Sequence, residues 1–416
     1  MLNTIPPQTP FSVTITSAAE ARTPPKLTIL EERLLHKIFL ATHIPAVWGA
    51  PKLALMLLAM SLPVGVVWWL LFGMWGLCAA AIYLLFALSD WLLLWWLPRS
   101  GRSFGPVGPQ LLVKSVPRVG VAILVALPAW LAGEFGLGII LLILLQLAGS
   151  AAYWWGMLHE PFALATTSLA IESPKLSSTA PPIRLLHLSD LHVERLTRRE
   201  AQRLVELVTQ ANSDVIVITG DYLNLSYVDD PTARAEVRKI LAKLTAPYGV
   251  YATLGSPPVD PRNTTPSLFD GFNIRLLRDE VAALDFGDGR KLSLLGLDCE
   301  HDLESDTSAF KRLIELAPDD SVRVLLYHSP ELMPLVQQYP VDLYLCGHTH
   351  GGQIRLPLYG AMITSSVTGK RYEMGRYTEQ GTTLYVSRGI GLEGLSAPRM
   401  RLLCPPEIIL FTLTGV

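Results

Sequence analysis

The sequence predicts a protein in two parts. An α-helical membrane domain of about four spans is followed by an α/β or α+β domain built on sheets covered by helices. Three observations predict this. Half of the 416 residues are hydrophobic, only 17% are charged, and the mean hydropathy is +0.35. That balance excludes disorder and coiled coil and argues against a wholly soluble globule. The composition also changes near residue 160. Residues 1–159 hold nine Lys and Arg against five Asp and Glu, residues 160–416 hold 25 against 31, and all ten Trp lie between Trp48 and Trp155. Beyond residue 182, strand-like and helix-like patterns alternate. The formal net charge of −2 gives no sign of a nucleic-acid partner.

Residues 1–50 are expected to be a cytoplasmic N-terminal segment. Its first 25 residues are rich in Pro and Thr and lack an apolar core, so they predict a disordered tail rather than a cleavable signal. Residues 28–40 (TILEERLLHKIFL) have helical apolar spacing. They fit either a helix on the membrane surface or a plain cytoplasmic helix.

Residues 51–160 are expected to be the transmembrane domain. Between Leu53 and Trp96 the only charged residue is Asp90, and between Val119 and Leu158 the only one is Glu134. A span needs about 20 apolar residues, so each run reads as a helical hairpin. The expected spans are 53–72, 75–97, 118–134 and 138–158, the third interrupted by Pro128. Trp68, Trp69, Trp75, Trp95, Trp96, Trp154 and Trp155 fall near span ends, as in an interfacial aromatic belt. Asp90 and Glu134 are either functional intramembrane carboxylates or groups near span ends. Arg22, Lys26, Arg33, Lys37 and Lys52 precede the first span, and Arg99, Arg102, Lys114 and Arg118 mark the 98–118 loop. The turns near 73 and 136 have no Lys or Arg. The positive-inside rule then predicts a multi-pass protein of the inner (cytoplasmic) membrane with residues 160–416 in the cytoplasm.

Residues 161–182, ending in the Pro- and Ser-rich IESPKLSSTAPP, are expected to be a linker. The second domain, 183–416, is expected to carry strands at 183–188, 215–219, 249–254, 273–277, 292–297, 322–327, 342–346, 383–387 and 407–413, with helices at 197–211 and 231–244. Cys78, Cys299, Cys346 and Cys404 form no C-x-x-C pair and read as buried reduced thiols.

The chemistry lies where apolar runs end. Asp190 and His192 follow Ile183–Leu188, and Asp221 follows a Val-Ile-Val-Ile-Thr-Gly run. His328 follows a third run, and His348 and His350 sit in Gly-His-Thr-His-Gly-Gly. Ligands commonly bind beyond the carboxyl ends of strands in open α/β sheets. In extended chain, residues i and i+2 share a side, so Asp190 with His192, and His348 with His350, can each approach one cation. Mixed Asp and His ligation suits Mn, Fe or Zn better than Mg or Ca. Two such ions can clamp a phosphate and activate a water, which implies phosphoester hydrolysis. Leu356, Pro357, Leu358 and Tyr359 fit either an apolar entrance or ordinary packing.

In HLSDLHV, VITGDYLN, LLYHSPE and LCGHTHGGQIRLP the sequence resembles the calcineurin-like metallophosphoesterase superfamily over about residues 183–414. It is most similar to the bacterial membrane-associated branch of YkuE-like phosphoesterases and UDP-2,3-diacylglucosamine hydrolases. The resemblance implies a four-layer α/β/β/α sandwich with two divalent ions. Asp190, His192, Asp221 and His350 would hold the first. Asp221 would bridge to the second, also held by His328 and His348. Asp221 and His350 would carry catalysis, and Asn224 matches a D-x-x-N position expected to meet substrate. The implied partners are a phosphorylated small molecule or a lipid-linked phosphate.

One segment departs from the pattern. Where the family has Gly-Asn-His-Asp or -Glu, this chain has Gly255-Ser256-Pro257-Pro258-Val259-Asp260. Ser256 replaces a metal-ligating Asn, and Pro257 replaces a His that stabilises the transition state or protonates the leaving group. The second metal site is therefore expected to be weak. Asn263 or Asp260 are candidate substitute ligands. His187, three residues before Asp190, is expected in the core, and His301, in the charged loop DCEHDLESD, in solvent. Two functions compete: an active membrane-anchored phosphoesterase, or a degenerate metal-binding module that senses or binds. A transporter is a third class, disfavoured by the small number of spans.

Overall fold

The computed structural model describes residues 11–17, 37, 41–100, 105–194, 198–394 and 399–416. They fall into two compact units. The expected tail 1–25 and helix 28–40 lie outside the described residues, except for 11–17 and residue 37.

The helical unit covers Glu32–Glu160 with Glu393–Leu402. Its helices are α1 (Ala50–Phe72), α2 (Leu77–Arg99), α3 (Val107–Leu131) and α4 (Phe135–Leu158). They make three apolar stretches long enough to cross a membrane: Ala50–Arg99, Val107–Leu131 and Phe135–Phe162. The first is folded into a hairpin by a tight turn at Gly73–Gly76. A Cβ on Gly76 would lie 2.2 Å from the Trp68 carbonyl oxygen, so this turn requires glycine. Leu55, Leu62, Leu85, Leu124 and Leu144 are exposed on the outer faces, an apolar surface that associates with membrane.

The third helix corrects the expected span. Lys114 and Arg118 are not loop residues; both are buried inside α3. Arg118 donates from Nε to Asp90 Oδ2 at 2.6 Å and from Nη2 to Asp90 Oδ1 at 2.9 Å. This pairing neutralises the charge that marked a boundary in the sequence. Asp90 accordingly lies inside the bundle, not at an end. Cys78 is exposed on this unit, against expectation, while Cys299, Cys346 and Cys404 are buried and free.

The α/β unit takes in Pro161–Leu392 and Leu403–Val416 and the N-terminal strand β1 (Ser12–Ser17). The segment expected as a linker instead contains β2 (Ala165–Ser173), and that strand pairs with β15 (Glu407–Gly415) along its whole length. Its alternating small and polar residues suit an edge strand, which a reading by apolar runs overlooks. In the same way β1 leaves the expected tail to pair antiparallel with β7 (Glu280–Asp285).

One sheet has the order β2-β15-β3-β4-β5-β6, with β3 (Ile183–Leu188), β4 (Val215–Ile218), β5 (Val250–Ala252) and β6 (Ile274–Leu276) parallel. The other has the order β1-β7-β8-β9-β10-β14-β13. In it β8 (Lys291–Gly296), β9 (Val322–Leu326), β10 (Leu343–Cys346) and β14 (Thr382–Val386) are parallel, and β13 (Gly375–Glu379) is antiparallel at the edge. A short hairpin, β11 (Arg355–Leu356) and β12 (Gly360–Ala361), stands apart.

Alternate residues sort into different cores, because side chains alternate faces along a strand. Leu185, Val215 and Val217 meet Val322, Val324, Leu343 and Leu345 between the sheets. Leu186, Ile216 and Ile218 pack under α5 (Arg198–Ala211) and α6 (Pro231–Leu241). Leu325, Tyr344 and Val386 pack under α7 (Leu303–Leu316). The result is the four-layer α/β/β/α sandwich. Strands covered on both faces read as unbroken apolar runs, which is why they were visible in the sequence.

Candidate metal centre

Every candidate side chain sits just past the carboxyl end of a parallel strand. Asp190 and His192 follow β3, and Asp221 follows β4. Ser256 follows β5, His328 follows β9, and His348 and His350 follow β10. The chain must turn sharply there. Asp190, His192, Asp221, His348 and His350 all have left-handed backbone, with φ of 52°, 39°, 56°, 67° and 50°. Each such non-glycine residue costs about 1–2 kcal/mol. Strain of this kind gathers at functional sites when the surroundings enforce it.

Two groups of buried ligand atoms result: Asp190, His192 and His350, and Asp221, His328 and His348. His192 Nε2 faces His350 Nε2 at 2.9 Å and Asp221 Oδ2 at 3.5 Å. His350 Nε2 is 3.2 Å from Asp190 Oδ1, and His328 Nε2 is 3.1 Å from Asp221 Oδ2. Asp221 Oδ2 thus lies between the groups, while Oδ1 accepts the Ser256 N–H at 2.8 Å.

The imidazoles are oriented from behind. His328 Nδ1 lies 2.7 Å from the Thr219 carbonyl, and His192 Nδ1 lies 3.2 Å from the Leu223 carbonyl. A carbonyl can only accept, so each Nδ1 carries a proton and each Nε2 is the atom that faces Asp221. Asp190 Oδ2, His328 Nε2 and His348 Nε2 are buried without a hydrogen-bond partner. Buried acceptors without donors are rare. Here divalent cations fit: the donors are mixed nitrogen and oxygen, and among the described residues no lysine or arginine pairs with these atoms.

The electrostatics agree. Burial would raise the Asp190 carboxyl, yet the imidazoles of His350, His328 and His192 hold it far below the ordinary carboxylate range. Burial opposes charge on His328, but Asp221 and Asp190 push it up to about 9. Burial, reinforced by His301 and His328, drives His348 well down. The cluster draws in positive charge.

The pattern of the calcineurin-like phosphoesterase family matches residues 183–352. The chain is 31% identical over 273 residues to the uncharacterized metallophosphoesterase YkuE of Bacillus subtilis, spanning 64% of this chain and 91% of that protein. The chain belongs to the calcineurin-like phosphoesterase family. This metallophosphoesterase is also 27% identical over 237 residues to the phosphodiesterase YaeI of Escherichia coli, covering 56% of this chain and 83% of that one. It is 26% identical over 319 residues to the UDP-2,3-diacylglucosamine pyrophosphatase LpxG of Chlamydia trachomatis, covering 64% and 94%.

Several expectations need correction. The Asn224 amide is engaged at both ends within the protein. Its Nδ2 donates to the Leu392 carbonyl at 2.9 Å, and its Oδ1 accepts from Ser226 N at 3.1 Å. Asp260 is no substitute ligand. Its carboxylate accepts three backbone N–H groups, from Asp221 at 2.7 Å, Gly255 at 2.8 Å and Tyr222 at 3.2 Å. Burial and nearby Asp221 push it up to about 6. Asn263 is exposed. His301 is not in solvent: it is 2% exposed, with Nε2 at 3.1 Å from Ser256 Oγ. His187 is in the core, at 2.8 Å from Thr219 Oγ1, and burial lowers it to about 3. The sequence reading also missed Glu331, 3.5 Å from His301 Nδ1. Its only signal was its place three residues after His328.

Proposed function

We propose that this metallophosphoesterase is a membrane-anchored, metal-dependent hydrolase of a phosphoester or pyrophosphate bond. The convergence of Asp190, His192 and His350 with Asp221, His328 and His348 carries this reading. When bound, a pair of Mn, Fe or Zn ions supplies Lewis-acid activation of water and neutralises phosphoryl charge. The protein's own part is positioning. Asp190, His192, Asp221 and His350 would hold the first ion, and Asp221, His328 and His348 would hold the second. Asp221, placed between the groups, and His350 are the residues we assign to the reacting centre. The Thr219 and Leu223 carbonyls keep the imidazoles in the ligating tautomer.

A lipid-linked substrate suits the apolar helices and the hairpin beyond His350, where Leu356, Leu358 and Tyr359 are exposed. LpxG, named for a diacylated sugar nucleotide, supports the same class. We place the helices in the inner membrane and the α/β unit in the cytoplasm, on the strength of Lys52 and Arg99. Lys114 and Arg118, being buried, no longer support that orientation. Reporter fusions at Val416 test it: activity of a periplasm-dependent reporter would reverse it.

The hydrolase reading is tested on full-length protein in detergent with Mn²⁺, using bis-p-nitrophenyl phosphate and UDP-diacylglucosamine. Turnover well above an Asp221→Asn control is expected; none above it would refute the reading. The Ser256-Pro257 segment favours one alternative, a catalytically weak binding or sensing module. That alternative predicts metal uptake without turnover.

A further inference from the structure

We propose that His301, oriented by Glu331, is a ligand of the second metal ion, in place of the side chain that Ser256 does not supply. The inference rests on the assignment of Asp221, His328 and His348 to that ion.

Topology supplies the first argument. Strands β8, β9 and β10 are parallel neighbours. His301, His328 and His348 follow their carboxyl ends, one from each strand. Three adjacent strands thus present three imidazoles at one edge of the sandwich.

Geometry supplies the second. The His301 and His348 rings lie 4.7 Å apart between centroids, and the His328 and His348 rings 5.2 Å apart. Ligand atoms of His301, Glu331 and His348 all lie within 4.8 Å of one another. His301 Nε2 sits 3.1 Å from Ser256 Oγ, and the same hydroxyl is 3.4 Å from His348 Nδ1. Ser256 N is bonded to Asp221 Oδ1. The short serine therefore leaves the space into which the His301 ring projects, and a longer amide at 256 would compete for it.

Orientation supplies the third. His301 Nδ1 faces Glu331 Oε2 at 3.5 Å, while Nε2 faces Ser256. Glu331 is itself buried and anchored, because its Oε1 accepts the Val367 N–H at 2.7 Å. A carboxylate behind one imidazole nitrogen, with the other turned toward a metal, is a common arrangement for ligating histidine. His301 also shares the left-handed backbone of the other ligands, with φ of 55°. A solvated loop has no need of that strain.

Finally, Arg262 ties the two loops together. It donates to Glu300 Oε1 at 2.9 Å and to the Gly255 carbonyl at 3.0 Å, and also to the Cys299 carbonyl. The loop bearing Ser256 and the loop bearing His301 are thus held as one wall.

The test is metal binding by the full-length protein in detergent. Protein stripped with a chelator is titrated with Mn²⁺. Bound ions are counted by equilibrium dialysis with mass spectrometry, and paired ions are detected by the exchange-coupled EPR signal. Wild type is expected to bind two ions. His301→Ala should keep the first with unchanged affinity, which also reports an intact fold, and lose the coupled signal. Glu331→Gln should weaken the second ion by about 10- to 100-fold, as for other residues that orient a ligand. Ser256→Asn placed in the His301→Ala background should restore the second ion. Two ions bound to His301→Ala with wild-type affinity would overturn the proposal. So would one ion in wild type that His301→Ala does not weaken. Loss of the second ion without any hydrolysis by wild type would leave the assignment standing and remove only the hydrolase reading. Hydrolysis with a full second site in His301→Ala would do the reverse.

Discussion

The two units each bury a polar centre, and the two centres are opposites. In the helical unit Arg118 has five N–H donors and all are used. Nε and Nη2 bond Asp90, Nη1 bonds Gln146 Oε1 at 2.8 Å and its carbonyl at 3.2 Å, and Nη2 also reaches Ser150 Oγ at 2.8 Å. Gln146 Nε2 returns a bond to the Arg118 carbonyl at 3.0 Å. That centre is closed. In the α/β unit, Asp190 Oδ2, His328 Nε2 and His348 Nε2 are buried without a hydrogen-bond partner among the described residues. That centre is open. A closed network explains itself as structure, whereas an open one implies that something else completes it. This difference, rather than burial of charge as such, separates the structural carboxylate Asp90 from Asp190 and Asp221, the carboxylates we assign to the metal centre.

The sharpest way to break the comparison is to alter the open centre at the atom its two halves share. Asp221→Asn should reduce turnover by about 10³-fold or more, beyond the 10- to 100-fold attached to residues that only orient a ligand. Its melting temperature without metal should change little. The measurement is steady-state hydrolysis beside a thermal melt. A variant that melts early and still turns over would make the open centre structural.

The closed centre should respond in the opposite way. Arg118→Ala leaves Asp90 buried and unpaired, and breaking such a pair costs about 3–5 kcal/mol. Replacing both partners, as Asp90→Leu with Arg118→Met, should recover most of the loss, because a well-packed apolar pair is often neutral. Unfolding in detergent reads both. If the single variant is as stable as wild type, the network holds nothing together.

A smaller effect concerns pH. His328, pushed up to about 9, favours its protonated form in the folded, metal-free protein. Its contribution is complete below the ordinary histidine value near 6.5 and is lost as pH rises toward 9. His187, lowered to about 3, and His348, lowered by burial, act the other way: they must bind protons on unfolding, so stability falls as pH drops below about 6.5. Asp190, held low, adds to the acid loss, and Asp260, pushed up to about 6, offsets part of it. Metal-free protein should therefore be most stable near pH 6.5. Saturating Mn²⁺ should raise stability and move the optimum upward, because the ion replaces the proton on His328. Melting temperature against pH, with chelator and with Mn²⁺, checks the sign. An unchanged optimum would deny that the ion and the proton share a site.

The open centre was more legible in sequence than the closed one. Asp190, His192, Asp221, His328, His348 and His350 all end apolar runs, and strand ends are where parallel sheets place ligands. The buried strands of both sheets were visible for the same reason. Edge strands were not: β1 and β2 are polar on one side and resemble tail and linker. Lys114 and Arg118 looked like loop charges, because the partners of Arg118, Asp90 and Gln146, lie 28 residues away on either side, and Lys114 Nζ donates to Met157 Sδ on the next helix. His301 was hidden by its neighbours. Acidic residues surround it in the chain, but Asp306 and Glu300 turn to other partners, Tyr327 Oη at 2.6 Å and Arg262 Nε at 2.9 Å. Only the topology that sets β8 beside β9 reveals which way the imidazole goes.

The smallest predicted effect separates substrate recognition from stability. Leu358 is fully exposed and held at φ 65° in the hairpin that follows His350. Left-handed backbone costs a leucine about 1–2 kcal/mol, and exposure returns nothing to the fold. Leu358→Gly removes that strain but adds about 0.5–1 kcal/mol of chain entropy. The net change should be a gain of at most about 1.5 kcal/mol. If Leu358 meets acyl chains, the same variant forfeits about 1.5–3 kcal/mol of apolar burial with the substrate bound. Hydrolysis of UDP-diacylglucosamine should then fall about tenfold or more in kcat/KM, while hydrolysis of bis-p-nitrophenyl phosphate is unchanged. Equal losses on both substrates would tie the hairpin to the metal centre instead. No loss on either would mean that the strain at Leu358 serves neither.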